Sequence, residues 1–181
     1  DEAIASNVSF FSKILKHTGH LDSVCELGPN IGRNLQAIAR LSARTELTGV
    51  EISADAAGRL SKEMPSVNVI NDSIIDWNPE GKSFDLAFTK GVLIHINPEY
   101  ADKVYSLLDK ISKRYVLIAE YYNPQRTTIP YRGHEARIFK ADFAGEFLDS
   151  ISGYEVVDYG FVWNRDKMFP QDDITWFLMK K

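Results

Sequence analysis

Cysteine is almost absent: Cys25 is the only one in 181 residues. One thiol cannot close an internal disulfide, which fits a reducing, cytoplasmic setting. It falls inside an apolar run, so it reads as a packing thiol and not as a nucleophile. No apolar stretch reaches membrane-spanning length and no signal peptide is visible, so no membrane partner is expected. Basic clusters are missing as well. Lys and Arg number 21 against 25 Asp and Glu, a formal net charge of −4. Nucleic acid is thereby disfavoured as the main partner, because phosphate backbones require clustered cations. There are no repeats and no low-complexity tracts. The first residue is not Met, so an N-terminal segment is expected to be missing.

Core-forming material is plentiful, at 44% hydrophobic and 12% aromatic. One α/β domain spanning 1–181 is the expectation. Residues near 3–17 read as an amphipathic helix, with Ile4, Val8, Phe11 and Leu15 at helical spacing and Gly19 as its C-cap. The apolar run Leu21, Val24, Leu27 then ends abruptly in Gly28-Pro29-Asn30-Ile31-Gly32. A helix of about 31–43 follows, with Ile31, Leu35, Ile38 and Leu41 on one face. Strand, glycine turn and helix bring backbone N–H groups and a helix N-terminus up to a nucleotide-like ligand. Gly28 and Gly32 are expected to remove a Cβ where ligand and chain nearly touch. Asn30 tolerates the turn geometry between them.

A second strand over 46–52 places Glu51 19 residues beyond Gly32, where such folds use an acidic side chain to accept both ribose hydroxyls. Ile52 follows it. Ser53 N-caps a helix of about 54–64, stopped by Pro65. A short strand over 67–70 leads into Asn71-Asp72-Ser73-Ile74, where Asp72 either meets a ligand or caps the turn. The fourth strand, 84–91, ends in Thr89-Lys90-Gly91 and is followed by His95 and by a helix after Pro98. A nearly all-apolar fifth strand, 115–121, implies a sheet covered on both faces. Residues 123–140 read as a loop of 18 residues, long enough to be functional. A helix around 143–151 and two late strands, 154–163 and 174–179, finish the chain. Their linker is too short for a crossover, so they are antiparallel neighbours. Tyr154, Phe161, Trp163 and Trp176 read as core.

The glycine turn departs from the dinucleotide pattern G-x-G-x-x-G, because Arg33 stands where its last Gly belongs. Its E-x-G-x-x-x-G spacing, with Glu26 leading, instead resembles motif I of the class I S-adenosylmethionine-dependent methyltransferases. Four longer runs sharpen this: Cys-Glu-Leu-Gly-Pro-Asn-Ile-Gly-Arg-Asn, Phe-Thr-Lys-Gly-Val-Leu-Ile-His-Ile-Asn-Pro-Glu, Ile-Pro-Tyr-Arg-Gly-His and Phe-Pro-Gln-Asp-Asp-Ile-Thr-Trp-Phe-Leu. Together they are similar to the pseudaminic acid biosynthesis-associated methylases. The resemblance implies a Rossmann-like, seven-stranded, mostly parallel sheet in the order 3-2-1-4-5-7-6, with an antiparallel C-terminal hairpin. It implies methyl transfer from S-adenosylmethionine to a sugar or nucleotide sugar of nonulosonic acid metabolism. Cofactor contacts then fall on Glu26, Gly28, Pro29, Asn30, Gly32, Glu51, Ile52, Asp72, Ser73, Ile74, Thr89 and Lys90, with Asp72 at the adenine amino group.

Methyl transfer needs positioning, and a base where the acceptor is a hydroxyl or protonated amine. His95 and Tyr122 are the catalytic candidates. Tyr121, Tyr131, Arg132, His134 and Phe169 are the acceptor candidates, since Arg forks onto carboxylate or phosphate and aromatic faces stack on rings. Asp172 and Asp173 read as ties within the linker or as a wall of the acceptor pocket; two adjacent carboxylates do not make a metal site. Two other readings stand beside this one. A sugar oxidoreductase using NAD is disfavoured by Arg33 and by the absence of a Tyr-x-x-x-Lys pair. A cofactor-binding domain without catalysis is the other.

Overall fold

The computed structural model describes residues 2–131 and 134–181, with the side chains of 2–3, 130–131 and 134–137 left aside. Helix α1 (Glu2–Thr18) leads into β1 (Ser23–Leu27), α2 (Arg33–Leu41), β2 (Glu46–Val50), α3 (Ala54–Glu63) and β3 (Asn68–Ile70). After β4 (Phe84–Lys90) come two 3-10 turns (Leu93–His95 and Pro98–Tyr100), α4 (Ala101–Ile111) and β5 (Ser112–Glu120). Strands β6 (Thr127–Tyr131) and β7 (His134–Lys140), α5 (Phe143–Ser150), β8 (Glu155–Val162) and β9 (Ile174–Lys180) complete the order.

Seven strands form one sheet in the order β3-β2-β1-β4-β5-β9-β8, parallel as far as β5 and antiparallel thereafter. This is the Rossmann-like plan expected. Strand order reverses between the parallel neighbours β1 and β4, and the crevice at their carboxyl ends is where such sheets bind ligands. Two cores flank the sheet. One joins Phe10, Phe11 and Ile14 of α1 to α2, Leu60 of α3 and the strands. The other lies under α4 and α5. Perpendicular ring contacts such as Phe10–Phe11 at 5.0 Å and Phe11–Phe88 at 5.4 Å tie α1 down.

Several expectations need correction. The buried face of α1 is broader than the 4-8-11-15 stripe: Ser6, Asn7, Phe10, Ile14 and Thr18 are buried beside Ile4 and Phe11, while Val8 and Leu15 pack on the core partly exposed, so three polar side chains face inward. Helix α2 begins at Arg33, because Gly32 is its N-cap in a left-handed conformation (φ 80°) that no helix continues through. Leu41 at its other end is exposed. Residues 127–131 and 134–140 are not a loop: as β6 and β7 they pair antiparallel in a separate hairpin, with Ile129 opposite Ile138. Pro130 is tolerated because a two-strand ribbon consists only of edges. Ile138 is buried, and β7 packs against the 3-10 turn that carries His95. Trp176 is core, but Phe161 and Trp163 are 56% and 51% exposed. Strand β8 lies at the sheet edge, while α4 and α5 lie over β4 and β5. Among the described residues, no helix is long and apolar enough to cross a membrane.

Candidate functional site

A cavity of about 1180 Å³ opens at the carboxyl ends of β1 and β4. Its floor is the turn after β1. Gly28 and Asn30 hold positive φ (76° and 52°), and the Gly28 N–H donates to the Val50 carbonyl at 2.8 Å, tying the turn to β2. The expected reason for the glycines is revised. A Cβ at Gly28 would meet Val92 Cγ2 at 2.7 Å, and one at Gly32 would strike Leu60 Cδ1. Protein side chains, not a ligand, first require these positions to be bare. Gly28, Pro29 and Asn30 border the cavity, whereas Gly32 is buried beneath α3.

Glu51, buried just past β2, lies on the cavity wall with both carboxylate oxygens engaged. Oε2 accepts the Asn30 N–H and Oε1 the Ser53 N–H, each at 2.8 Å. A carboxylate oxygen has two acceptor sites, so each keeps one for a ligand hydroxyl. Ile52 (72% exposed), Ser73 and Ile74 continue this wall and provide an apolar slot. Asp72 does not join them. Its carboxylate is exposed and accepts the Ser73 N–H at 2.7 Å, capping the turn that follows.

The opposite end is polar and closed. Glu26 is fully buried at the end of β1, where its Oε1 accepts from Asn34 Nδ2 at 2.6 Å. Burial pushes its carboxyl up to about 7, against the opposing pull of Asn34 and Lys90. Lys90 reaches 3.4 Å from Asn7 Oδ1, and burial lowers its pKa although Glu26, Asp172 and Glu120 favour its charge. Gln171 Nε2 donates to the Ser6 carbonyl at 2.8 Å. Three buried oxygens here, Glu26 Oε2, Asn34 Oδ1 and Gln171 Oε1, have no hydrogen-bond partner among the described residues. Buried polar atoms are nearly always paired, so the orphans on Asn34 and Gln171, which line the cavity, and on Glu26, bonded to Asn34, fit a ligand rich in donors. A zwitterionic amino acid attached to a nucleoside has the donors for this end and the hydroxyls for Glu51.

Thr89, expected at the cofactor, is wholly buried below the cavity floor. Beside it Glu120, also wholly buried, accepts the Val92 N–H at 3.1 Å. Burial raises its carboxyl to about 7, while the amides of the Val92–Ile94 turn pull it down. That turn presents His95 at the cavity mouth, where partial burial lowers the imidazole pKa. Tyr121 and Tyr122 do not border the cavity: Tyr121 packs on the core with Lys140 Nζ 5.3 Å from its ring, and Tyr122 lies 6.5 Å from Phe177. Phe169 is exposed beside Pro170, which does border it. Arg132 lies outside the described residues, as do the side chains of Tyr131 and His134. Asp172 forms part of the wall, whereas Asp173 accepts the Asn164 N–H at 3.0 Å and closes the linker. Sequence reasoning missed Ser6, Asn7, Asn34 and Gln171. Only Asn7 left a trace, as a polar residue within the apolar spacing of α1.

The crevice and its switch point define a Rossmann-like protein with a methyltransferase fold. The model of the methyltransferase domain family matches residues 24–114, and the chain belongs to that family. No curated protein matches it in sequence. Among solved structures, the glycopeptide N-methyltransferase MtfA complexed with sinefungin superposes with a TM-score of 0.72 at 14% identity, over 96% of this chain and 93% of that one. A protein from Pyrococcus horikoshii gives 0.72 at 14%, over 97% and 90%. An S-adenosylmethionine-dependent methyltransferase from Clostridium acetobutylicum gives 0.71 at 10%, over 97% and 91%. At these identities the likeness is one of fold.

Proposed function

We propose that the chain is an S-adenosylmethionine-dependent methyltransferase acting on a small polar acceptor. The acceptor we propose, a sugar or nucleotide sugar of nonulosonic (pseudaminic) acid metabolism, rests on the four sequence runs described above. One observation carries the cofactor assignment: the cavity walled by the clamped Glu51 is also bordered by Asn34 and Gln171, each with an unpartnered buried oxygen, and Glu26, bonded to Asn34, has another.

When bound, the cofactor supplies an electrophilic methyl group on a sulfonium. Glu51 holds the ribose hydroxyls, while Ile52 and Ile74 flank the adenine. Glu26 and Asn34 take the amino group, and Lys90, with Asn7 and Gln171, takes the carboxylate. Three carboxylates near Lys90 keep this end compatible with a cationic ligand. His95 is neutral near pH 7 because its pKa is lowered, so an imidazole nitrogen can accept the acceptor's proton. That capacity is lost as pH falls through the lowered value. Tyr122 points to no such role from its place on the sheet face.

Titration calorimetry with S-adenosylmethionine, S-adenosylhomocysteine and NAD tests the cofactor, and turnover on a nucleotide-sugar panel tests the acceptor. Binding of the first two without NAD is expected. Binding of NAD alone replaces the reading with an oxidoreductase. Binding of the first two without turnover on any sugar removes the acceptor assignment and leaves the cofactor in place.

A further inference from the structure

Strand β5 ends on Glu120, a carboxylate 2% exposed that does not border the cavity. Taking a carboxyl group out of water is costly, and burial pushes its pKa up. Three backbone N–H groups from one place, those of Val92, Leu93 and Ile94, favour its charged form. The Val92 N–H lies 3.1 Å from Glu120 Oε1.

These residues open the 3-10 turn Leu93–His95. The first N–H groups of a helical turn have no partner inside it, and an N-cap side chain ordinarily takes one of them. Here the N-cap is Val92, which has no side-chain acceptor and makes no cap bond. The second 3-10 turn shows the ordinary solution, with Asn97 accepting the Glu99 N–H from within its own segment. The cap of the first turn comes instead from another strand, 28 residues further along the chain.

What the turn carries gives this cap its importance. At one end the Val92 methyls fill the room beside Gly28, 2.7 Å from where a Cβ would stand. At the other, His95 borders the cavity, and its N–H donates to the Val92 carbonyl at 2.9 Å. The imidazole is thus one backbone hydrogen bond away from the residue that Glu120 holds. Gly91, which leads out of β4 at φ 70°, has open space where a Cβ would be, so side-chain packing does not fix the chain there.

We propose that Glu120 is a positioning residue: it caps the 92–95 turn from the neighbouring strand and so fixes where His95 stands at the cavity mouth. This role rests on the function proposed above, in which His95 takes the acceptor's proton. The Gly28–Asn30 cradle has its own ties, to the Val50 carbonyl and to Glu51, so the cofactor side holds without Glu120. Glutamine at this position keeps an oxygen for the Val92 N–H and sets its NH2 beside the Thr89 hydroxyl, whereas leucine offers no acceptor.

Amide hydrogen exchange, an NMR titration of the His95 imidazole and calorimetry with S-adenosylhomocysteine test this without an acceptor. In Glu120→Leu the amides of residues 92–94 should exchange about 100-fold faster or more, with β4 and β5 unchanged. The His95 pKa should rise toward its ordinary 6.5 as the ring leaves its partial cover. Loss of a nearby negative charge would by itself lower that value, so the sign separates displacement from electrostatics. Affinity for S-adenosylhomocysteine should stay within about threefold. Glu120→Gln should keep most of the protection and the wild-type His95 titration. Unchanged exchange in the leucine variant, a His95 pKa that stays or falls, or a glutamine variant that behaves like leucine each overturns the proposal. So does a larger loss of S-adenosylhomocysteine, which would make Glu120 a support of the whole cavity. Should the leucine variant not fold, the wild type decides: amides 92–94 should exchange as slowly as those of β4, and fast exchange overturns the role. A wild type that binds no S-adenosylhomocysteine removes the cofactor reading alone, because exchange and the His95 titration use no ligand.

Discussion

The two ends of the sheet break the usual burial rule in opposite directions. At the carboxyl ends of β1 and β4, polar oxygens of Glu26, Asn34 and Gln171 are taken out of water with no hydrogen-bond partner among the described residues. At the β8 edge, Tyr159, stacked on Phe177, and Phe161 and Trp163 are each left more than half exposed. Each arrangement costs free energy in the isolated chain: an unsatisfied buried polar group about 1–3 kcal/mol, an exposed aromatic its transfer energy. The two costs anticipate different things. Orphaned polar atoms at a cavity fit a small, donor-rich ligand, whereas rings beside a bulged edge strand carry their cost into solvent.

The comparison can be sharpened by experiment, starting with backbone support of the polar end. Gly32→Ala forces a Cβ into Leu60 at positive φ, whereas Gly153→Ala, at φ 87°, meets nothing within 4 Å. Urea unfolding should show about 2–5 kcal/mol lost for the first and about 1 kcal/mol for the second. Equal losses would mean that packing at the turn is irrelevant.

Next in size is the pH dependence of the buried carboxyls. Glu26 and Glu120 titrate near 7 in the folded chain, above the ordinary value of 4.5. The folded state therefore holds protons that the unfolded state has released. The stabilisation this represents is complete below about 4.5 and is lost as pH rises through about 7, at up to about 1.4 kcal/mol per pH unit for each group. Thermal unfolding across this range should show the loss, and Glu26→Gln should flatten it. A profile identical in the variant would remove Glu26 as its source.

Glu51→Ala should weaken S-adenosylhomocysteine binding by about 1–3 kcal/mol in calorimetry, since charge-assisted bonds to the ribose disappear. Unchanged affinity would place the ribose elsewhere. The smallest and most selective effect belongs to Lys90→Met. It should cost about 1 kcal/mol with S-adenosylhomocysteine and nothing with 5′-methylthioadenosine, which has no carboxylate. Equal losses with both ligands would make Lys90 a structural residue only.

Where local periodicity and turn chemistry decide the outcome, the chain could be read directly. The β1–turn–α2 unit, Glu51 past β2, the Ser53 cap and the antiparallel pair β8–β9 all follow from neighbours in sequence. Contacts between distant segments could not be read this way. Gln171 and Ser6 meet across 165 positions, and no spacing rule announces that. The β6–β7 hairpin was hidden because its alternation is short and interrupted by Pro130. Aromatic alternation in β8 looks the same whether or not a helix covers it, so exposure there depends on where α5 stops. Asp72 was ambiguous between ligand and cap, and its own neighbour's N–H took it.

The contact between Gly28 and Val92 has a consequence for how this protein can change. The valine methyls occupy the room that the glycine leaves, three residues before His95. Any lineage that reshapes the acceptor side by enlarging position 92 would drive a wedge into the nucleoside cradle. Diversification of the second substrate is thus channelled toward the hairpin, which carries no residue assigned to the first, whereas the late linker is held by Gln171.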